Sequence, residues 1–232
     1  QHGYDADGHL TTTRGYATVL TASQLSALGN DPTIAAVSAD LTPGGSDSYQ
    51  QSVYDADGQV VYAIDGLGLN VTQYTYNAGG QVTQTRQYAT ALSTGSLSPT
   101  ATPATVAGYL TASSSDVITT TVYNADGEAV YQVNGAGAVT QHTYDAAGRV
   151  TQSTAYATAL SATQSASLGT APTTAQLAAL LTPSANDRTT TTSYDSAGRA
   201  VYSLNAAGTV TQTTYDADGR VTSTHVYAIA LT

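Results

Sequence analysis

Apolar and polar residues alternate in short stretches that recur along the chain. In one stretch Val60, Tyr62 and Ile64 occupy every second position. The same pattern returns in two further sets, Ala129, Tyr131, Val133 and Ala200, Tyr202, Leu204. Successive side chains of a β-strand point to opposite faces, so this alternation predicts strands with one buried face. Thr, Gln and Ser fill the other positions, which is typical of an antiparallel sheet with one solvated side.

Turn signals separate the predicted strands. Asp or Asn is followed three residues later by Gly, in motifs that begin at residues 55, 65, 77, 124, 134, 145, 195, 205 and 216. Asp or Asn opens a type I turn by bonding the backbone ahead of it, and Gly then takes the left-handed position of a G1 bulge. We therefore predict a mainly β protein built of tandem hairpins in one continuous, twisted antiparallel sheet.

A longer period of about 70 residues organises these hairpins. Tyr-Asp or Tyr-Asn begins at residues 4, 76, 144 and 215, which are 72, 68 and 71 residues apart. A second landmark, Tyr-Ala-x-x-Leu, begins at residues 16, 88, 156 and 227 and keeps the same spacing. The chain therefore divides into residues 1–53, 54–122, 123–193 and 194–232, all parts of one repeat array. Both ends fall inside a unit, so we expect the array to continue in both directions.

Each unit also carries a segment with helical features. Residues 21–29 and 32–41 in the first copy, and 161–169 and 172–181 in the third, place Ala and Leu at helical spacing. Pro lies near the start of the second helix in each pair, and Thr-Pro closes both copies. The middle copy, residues 95–111, is richer in Pro, so we expect a weaker or shorter helix there. We expect these inserts to lie against the face or edge of the sheet.

The repeat resembles the YD/RHS family. Residues 137–151 and 208–222 share Gly, then Tyr-Asp-x-x-Gly-Arg and a hydrophobic residue. Family members include bacterial RHS proteins, insecticidal toxin-complex subunits and animal teneurins. The resemblance implies a spiralling antiparallel β-ribbon, secretion or surface display, and a scaffold role. The residues that carry it are Tyr4, Asp5, Gly8, Tyr54, Asp55, Gly58, Tyr76, Asn77, Gly80, Tyr123, Asn124, Gly127, Tyr144, Asp145, Gly148, Tyr194, Asp195, Gly198, Tyr215, Asp216 and Gly219.

Composition narrows the classes of function. The chain has 16 acidic residues against six Arg, a net charge of −10, so it offers no basic stripe for nucleic acid. The acidity also disfavours an anionic membrane surface, and no apolar run reaches about 18 residues. Cys is absent, which excludes disulfides, and a chain without Cys or Met tolerates an oxidising exterior. Composition does not fix the compartment, but the YD/RHS resemblance implies an extracellular or cell-surface protein.

Several polar residues were weighed as chemical sites. Asp5-x-Asp7 and two similar pairs look like the start of a calcium loop, but the further oxygen ligands are missing, so we favour turns over a weak cation site. His2, His9 and His142 occupy positions that other residue types fill in sister copies. Arg149, Arg199 and Arg220 are expected to form exposed pairs of little energetic consequence. No catalytic residue, metal site or cofactor is predicted, and we expect no enzymatic activity.

Three functions remain open at this point. The regular 70-residue unit favours a structural module of an extended extracellular fibre or sheath, whose partners are further copies of the same repeat. The family resemblance also allows a wall segment of a hollow shell that encapsulates a toxin. Tyr rings on an exposed face could instead stack on glycans, as in an adhesin.

Overall fold

The computed structural model describes residues 1–66, 70–92 and 97–227. These residues form fourteen antiparallel strands, ordered in the sheet as they are in the chain, together with five short helices. The predicted fold class, mainly β with short helical inserts, is confirmed.

The elements follow the predicted alternation of hairpins and inserts. The strands are β1 (His2–Tyr4), β2 (Leu10–Gly15), β3 (Ser48–Tyr54), β4 (Val60–Asp65), β5 (Asn70–Tyr76), β6 (Val82–Gln87), β7 (Val117–Tyr123), β8 (Ala129–Val133), β9 (Val139–Tyr144), β10 (Val150–Ala155), β11 (Arg188–Tyr194), β12 (Ala200–Leu204), β13 (Val210–Tyr215) and β14 (Val221–Val226). The helices are α1 (Ala22–Leu28), α2 (Ile34–Asp40), α3 (Pro103–Ala107), α4 (Ala162–Ser167) and α5 (Thr174–Ala178).

Every Tyr-Asp or Tyr-Asn motif ends the first strand of a hairpin. The turns that follow, which we call YD turns, join β1 to β2, β3 to β4, β5 to β6, β7 to β8, β9 to β10, β11 to β12 and β13 to β14. The turns that begin at Asn134 and Asn205 have the same form, and they join β8 to β9 and β12 to β13. The predicted turn over residues 65–68 falls partly outside the described residues.

The chain divides into two compact units. Unit 1 comprises residues 1–74 and 86–116, and unit 2 comprises residues 75–85 and 117–232. In unit 2 the YD turns lie at one end of the strands, and the two turns at Asn134 and Asn205 lie at the other end. Successive connections of an antiparallel sheet alternate between the two ends of its strands. In unit 1 the turns at Asp5 and Asp55 likewise lie at the same end of the strands.

Each unit has its own apolar core between one sheet face and one insert. We define insert 1 as residues 16–47, insert 2 as residues 88–116 and insert 3 as residues 156–187. In unit 1, Val53, Tyr62 and Ile64 of the sheet pack with Leu92 and Val106 of insert 2. In unit 2 the corresponding cluster consists of Val122, Tyr131, Val133 and Val139 of the sheet with Leu160, Leu168 and Leu177 of insert 3. Inserts 2 and 3 therefore lie against the sheet face, one of the two positions that the sequence predicted, whereas the two helices of insert 1 bury no residue.

The helices are short and rely on side-chain caps. Thr21, Ser161 and Thr173 each accept a hydrogen bond from the backbone N–H three residues on, and a Gln at that position bonds back to complete a capping box. Helices of five to seven residues are unstable alone, so packing must hold them. The described residues of insert 2 contain one helix, where inserts 1 and 3 have two each; residues 93–96 lie outside the described part.

A core substitution in insert 3 tests this packing. Leu177 is 0% exposed, so Leu177→Ala should lower the free energy of unfolding by about 2–5 kcal/mol through lost burial and a residual cavity. Leu25, a helical leucine that is 57% exposed in insert 1, provides the control, and Leu25→Ala should change stability by less than about 0.5 kcal/mol. Urea unfolding followed by circular dichroism measures both, and equal shifts would contradict the packing described here.

Candidate functional site

The YD turn is held by one side-chain oxygen. Asp195 Oδ1 accepts hydrogen bonds from the backbone N–H of Ala197 and of Arg199, both at 2.9 Å. The Gly198 N–H donates to the Asp195 carbonyl at 3.0 Å, and Gly198 has φ 81°, which favours glycine. The register shifts by one residue just before the turn, between Ser193 and Tyr194. These are the type I turn and bulge that the motif predicted.

The turn residue also pairs with the side chain four positions later, through Oδ2 when it is Asp and through Nδ2 when it is Asn. The Asp145 Oδ2 accepts from Arg149 Nε at 2.7 Å, whereas Asn124 Nδ2 donates to Glu128 Oε2 at 2.7 Å. Asp therefore pairs with a donor, and Asn with an acceptor. The other pairs of this kind are Asp5 with His9, Asn77 with Gln81, Asp195 with Arg199 and, at 3.8 Å, Asp216 with Arg220.

In at least five YD motifs the tyrosine bonds the preceding hairpin. Tyr194 donates its hydroxyl proton to the Val150 carbonyl at 2.7 Å, and Tyr144 donates to the Ala129 carbonyl at 2.8 Å. The acceptor is the first strand residue after the previous YD turn. Equivalent bonds join Tyr54 to Leu10, Tyr123 to Val82 and Tyr215 to Ala200. A half-buried phenol thus satisfies its hydroxyl by fixing one hairpin to the next.

The residue four positions after Asp or Asn bonds forward to the next YD turn. Arg149 lies 4.8 Å from the Tyr194 ring centre and donates to the Asp195 carbonyl at 3.4 Å. Arg199 lies 4.8 Å from the Tyr215 ring and donates to the next turn at 3.1 Å. The expectation of exposed, weak pairs is therefore wrong for Arg149 and Arg199, which are 34% exposed. Arg220 is 74% exposed, as expected, and the small energetic consequence of its pair stays a prediction.

A set of aspartates that the sequence reasoning missed closes the inserts. Asp47, Asp116 and Asp187 each lie seven residues before a YD tyrosine, a regular spacing that could have revealed them. Asp116 accepts from the N–H of Ala89 and of Ser113, both at 3.0 Å, and so joins the two ends of insert 2. Asp47 and Asp187 join the ends of inserts 1 and 3 in the same way.

Two of these aspartates are buried with an arginine. The Asp116 side chain is 0% exposed and lies 3.1 Å from Arg86, and Asp47 is 1% exposed and lies 3.3 Å from Arg14. The backbone N–H donors of Gly44 and Ala17, with Arg14, hold the pKa of Asp47 below its usual value. Burial by itself would raise the pKa of Asp116, but its backbone donors and Arg86 outweigh burial and lower it.

A polar chain links insert 3 to the buried sheet tyrosine. Tyr156, which begins the insert, donates to Gln141 Oε1 at 2.7 Å, and Gln141 Nε2 donates to the Tyr131 hydroxyl at 3.1 Å. Burial raises the pKa of both tyrosines. Tyrosine can therefore serve as a large core residue here because a glutamine on the next strand satisfies its hydroxyl.

One group of acidic residues and histidine has ligand atoms close enough for a cation. Within the described residues, Asp5, Asp7 and His9 each offer an atom within 4.8 Å of the others. However, Asp5 Oδ1 accepts from the N–H of Asp7 and of His9, and Asp5 Oδ2 lies 2.9 Å from His9 Nδ1. His9 also stacks on Tyr54 with ring centres 4.7 Å apart. These groups are engaged in the turn itself, which favours the turn over a cation site.

The remaining histidines do not gather into a site. His2 Nδ1 lies 3.3 Å from Thr13 Oγ1 on the neighbouring strand, and His225 packs edge-on against Tyr227. His142 packs edge-on against Tyr144. No helix among the described residues has the length and apolar character needed to cross a membrane.

Solved structures of one complex share the fold of this chain. The chain matches no protein-family model and no curated protein. It is similar to crystal structures of TcdB2-TccC3 without the hypervariable C-terminal region, with a TM-score of 0.51 and 14% identity, and of TcdB2-TccC3-Cdc42, with 0.52 and 14%. Each alignment covers 98% of this chain and 10% of the other. The likeness shows a shared fold.

The tyrosine bond between hairpins can be tested by removing one hydroxyl. Tyr194→Phe keeps the ring beside Arg149 but deletes the donor to the Val150 carbonyl, so stability should fall by about 0.5–1.5 kcal/mol. Tyr4 is 62% exposed, and Tyr4→Phe should be nearly neutral. Thermal and urea unfolding measure the difference, and an unchanged Tyr194→Phe variant would show that the bond contributes nothing.

The buried insert aspartates predict a sensitivity to acid. Since folding lowers the pKa of Asp47 and Asp116, these carboxylates stabilise the fold above the unfolded pKa of about 3.9. That contribution is lost as the pH falls through the lower, folded pKa. Asp116→Asn should therefore destabilise the protein at pH 7, and its difference from wild type should shrink at pH 2–3 in urea titrations. Asp126→Asn, at an exposed turn position, should follow the wild-type curve; a difference that stays constant with pH would contradict this reasoning.

Proposed function

We propose that this chain is a non-catalytic structural module of a large secreted or cell-surface protein, in which such repeats build an extended fibre or sheath. The observation that carries this proposal is the set of bonds from each YD turn to the next. Arg149, for example, pairs with its own Asp145 and also bonds and stacks on the turn that contains Tyr194 and Asp195.

Bonds of this kind support a role in repetition. The Tyr194 hydroxyl and the Arg149 guanidinium connect the same two hairpins, one donor coming from each hairpin, and the same arrangement recurs at Tyr215 with Arg199. When each repeat contacts mainly its neighbours, the stability of the array is roughly the sum of the stabilities of the repeats and of the interfaces between them. Such an array can be lengthened by adding further copies of the same repeat. This property suits a fibre or sheath whose partners are further copies of the repeat.

The residues of the YD motif are committed to structure, which supports a non-catalytic role. Asp195 uses Oδ1 on two backbone N–H groups and Oδ2 on Arg199. Tyr194 uses its hydroxyl on a backbone carbonyl. Rings and hydroxyls engaged in this way are poorly placed to stack on a sugar, so the glycan-binding alternative receives no support from them.

An extracellular location is part of the proposal. The composition supports it, because a chain with no Cys and no Met has no thiol or thioether to oxidise. The net charge of −10 favours solubility at high local concentration of repeats.

A wall segment of a hollow shell is the second candidate. It is supported by the similarity in fold to TcdB2-TccC3, with TM-scores of 0.51 and 0.52, together with the YD/RHS resemblance. Under this alternative the repeats would curve around a cargo, and the full-length chain would end in a core motif followed by a variable toxin domain.

Electron microscopy of the full-length native protein decides between the two. Long filaments of uniform width are the expected result. Hollow globules would overturn the fibre in favour of the shell. Immunogold labelling of intact cells with antibody to this chain tests location in the same preparation, and label confined to the cell interior would contradict the extracellular assignment.

A further inference from the structure

The contact between insert 3 and the sheet shows how an insert is received. Tyr131 and Val133 of β8 are 6% and 3% exposed, and Val139 of β9 is 1% exposed. Leu168 and Leu177 of insert 3 complete this cluster, and both are buried. The sheet face is thus an apolar seat that the insert fills.

The same seat recurs on β12 and β13. Tyr202, Leu204 and Val210 lie 71 residues after Tyr131, Val133 and Val139, which is one repeat. The residue types at the three positions are the same or closely similar. Their strands pair in the same register: Leu204 faces Val210 across the ladder as Val133 faces Val139. Yet Tyr202 is 42% exposed where Tyr131 is 6% exposed. The apolar face on β12 and β13 is therefore formed, but among the described residues no insert covers its tyrosine.

The polar contacts of the second seat are also prepared. Gln212 Nε2 donates to the Tyr202 hydroxyl at 3.0 Å, as Gln141 does to Tyr131 at 3.1 Å. Tyr227 donates its backbone N–H to the Val210 carbonyl at 2.9 Å and its hydroxyl to Gln212 Oε1 at 2.7 Å. Tyr156 makes both of these bonds at the start of insert 3. The first residue of an insert is therefore already in its place on β13.

We propose that the face formed by Tyr202, Leu204 and Val210 is a docking surface for a fourth insert, carried by the same polypeptide beyond Tyr227. The occupant is defined by the chemistry that fills the first seat. It is a segment of about 30 residues with small, helix-forming side chains and apolar residues at the positions equivalent to Leu160, Leu168 and Leu177. It closes with an aspartate equivalent to Asp187, which accepts from the N–H of Ala157 and of Ser184.

The position of Tyr227 favours the same polypeptide over a second copy. An insert from another molecule would have to enter beside Tyr227, which already holds the entry position through Val210 and Gln212. A segment that continues from Tyr227 meets no such conflict. The inference rests on the proposed structural function, since it describes how one repeat receives the next.

A chain extended after Thr232 by a copy of residues 162–187 tests the proposal. The Tyr202 ring should become protected from nitration by tetranitromethane, about sevenfold if its exposure falls from the 42% of Tyr202 to the 6% of Tyr131. Peptide mapping by mass spectrometry reads each tyrosine separately, and Tyr131 in the same molecule reports that the rest of the fold is unchanged.

The matched control is the same extension with Asp at the two positions copied from Leu168 and Leu177. It should leave Tyr202 as reactive as in the unextended chain. Equal protection by both extensions, or by neither, would overturn the proposal. Protection in the unextended chain that rises with protein concentration would also overturn it, in favour of a second copy. None of these outcomes depends on whether the native protein forms filaments, so the proposed function can fail separately.

Discussion

The hydrogen bonds that one Asp or Asn side-chain oxygen accepts from two backbone N–H groups determine much of this fold. In the turn at Asp145 these bonds reach Ala147 and Arg149, and they force a bulge between the two strands. A sheet alternates its side chains with a period of two, so a slip of one residue would exchange the apolar and polar faces. The turn bonds fix the register, and the register keeps Val139 and its neighbours on the face that an insert covers.

Side chains of the same turns also bond one hairpin to the next, at one end of the strands in each unit. Because the register is fixed, the YD tyrosine emerges where its hydroxyl reaches the carbonyl of the preceding hairpin, as Tyr144 reaches Ala129. The residue four positions after Asp or Asn emerges beside the following turn, as Arg199 does beside Tyr215 and Asp216. Local geometry thus creates the long-range contacts, and the candidate site and the scaffold are the same set of residues.

Tyrosine shapes the core because the chain has no Phe or Trp. A buried phenol must hydrogen-bond, and in unit 2 Gln141 joins Tyr131 to Tyr156 so that the requirement also anchors the insert. The leucines of the inserts supply the apolar volume that the Thr-rich strands lack. Asp47, Asp116 and Asp187 join the ends of their inserts, so each insert is a closed loop, and inserts 2 and 3 also cover the sheet.

The sequence by itself determined the local structure: the strands from alternation, the turns from Asp/Asn-x-x-Gly, and the helices near Pro32 and Pro172, because short-range spacing governs all three. Only the tertiary structure decided which residues meet across the sheet. Arg149 and Tyr194 are 45 residues apart in the chain, and Arg149 looked like an exposed partner of its own turn until the next hairpin was placed beside it. The insert aspartates keep a regular spacing before the YD tyrosines, but that spacing does not say that they join the two ends of a 30-residue segment. Strand pairing brings such residues together, and pairing is a property of the whole chain.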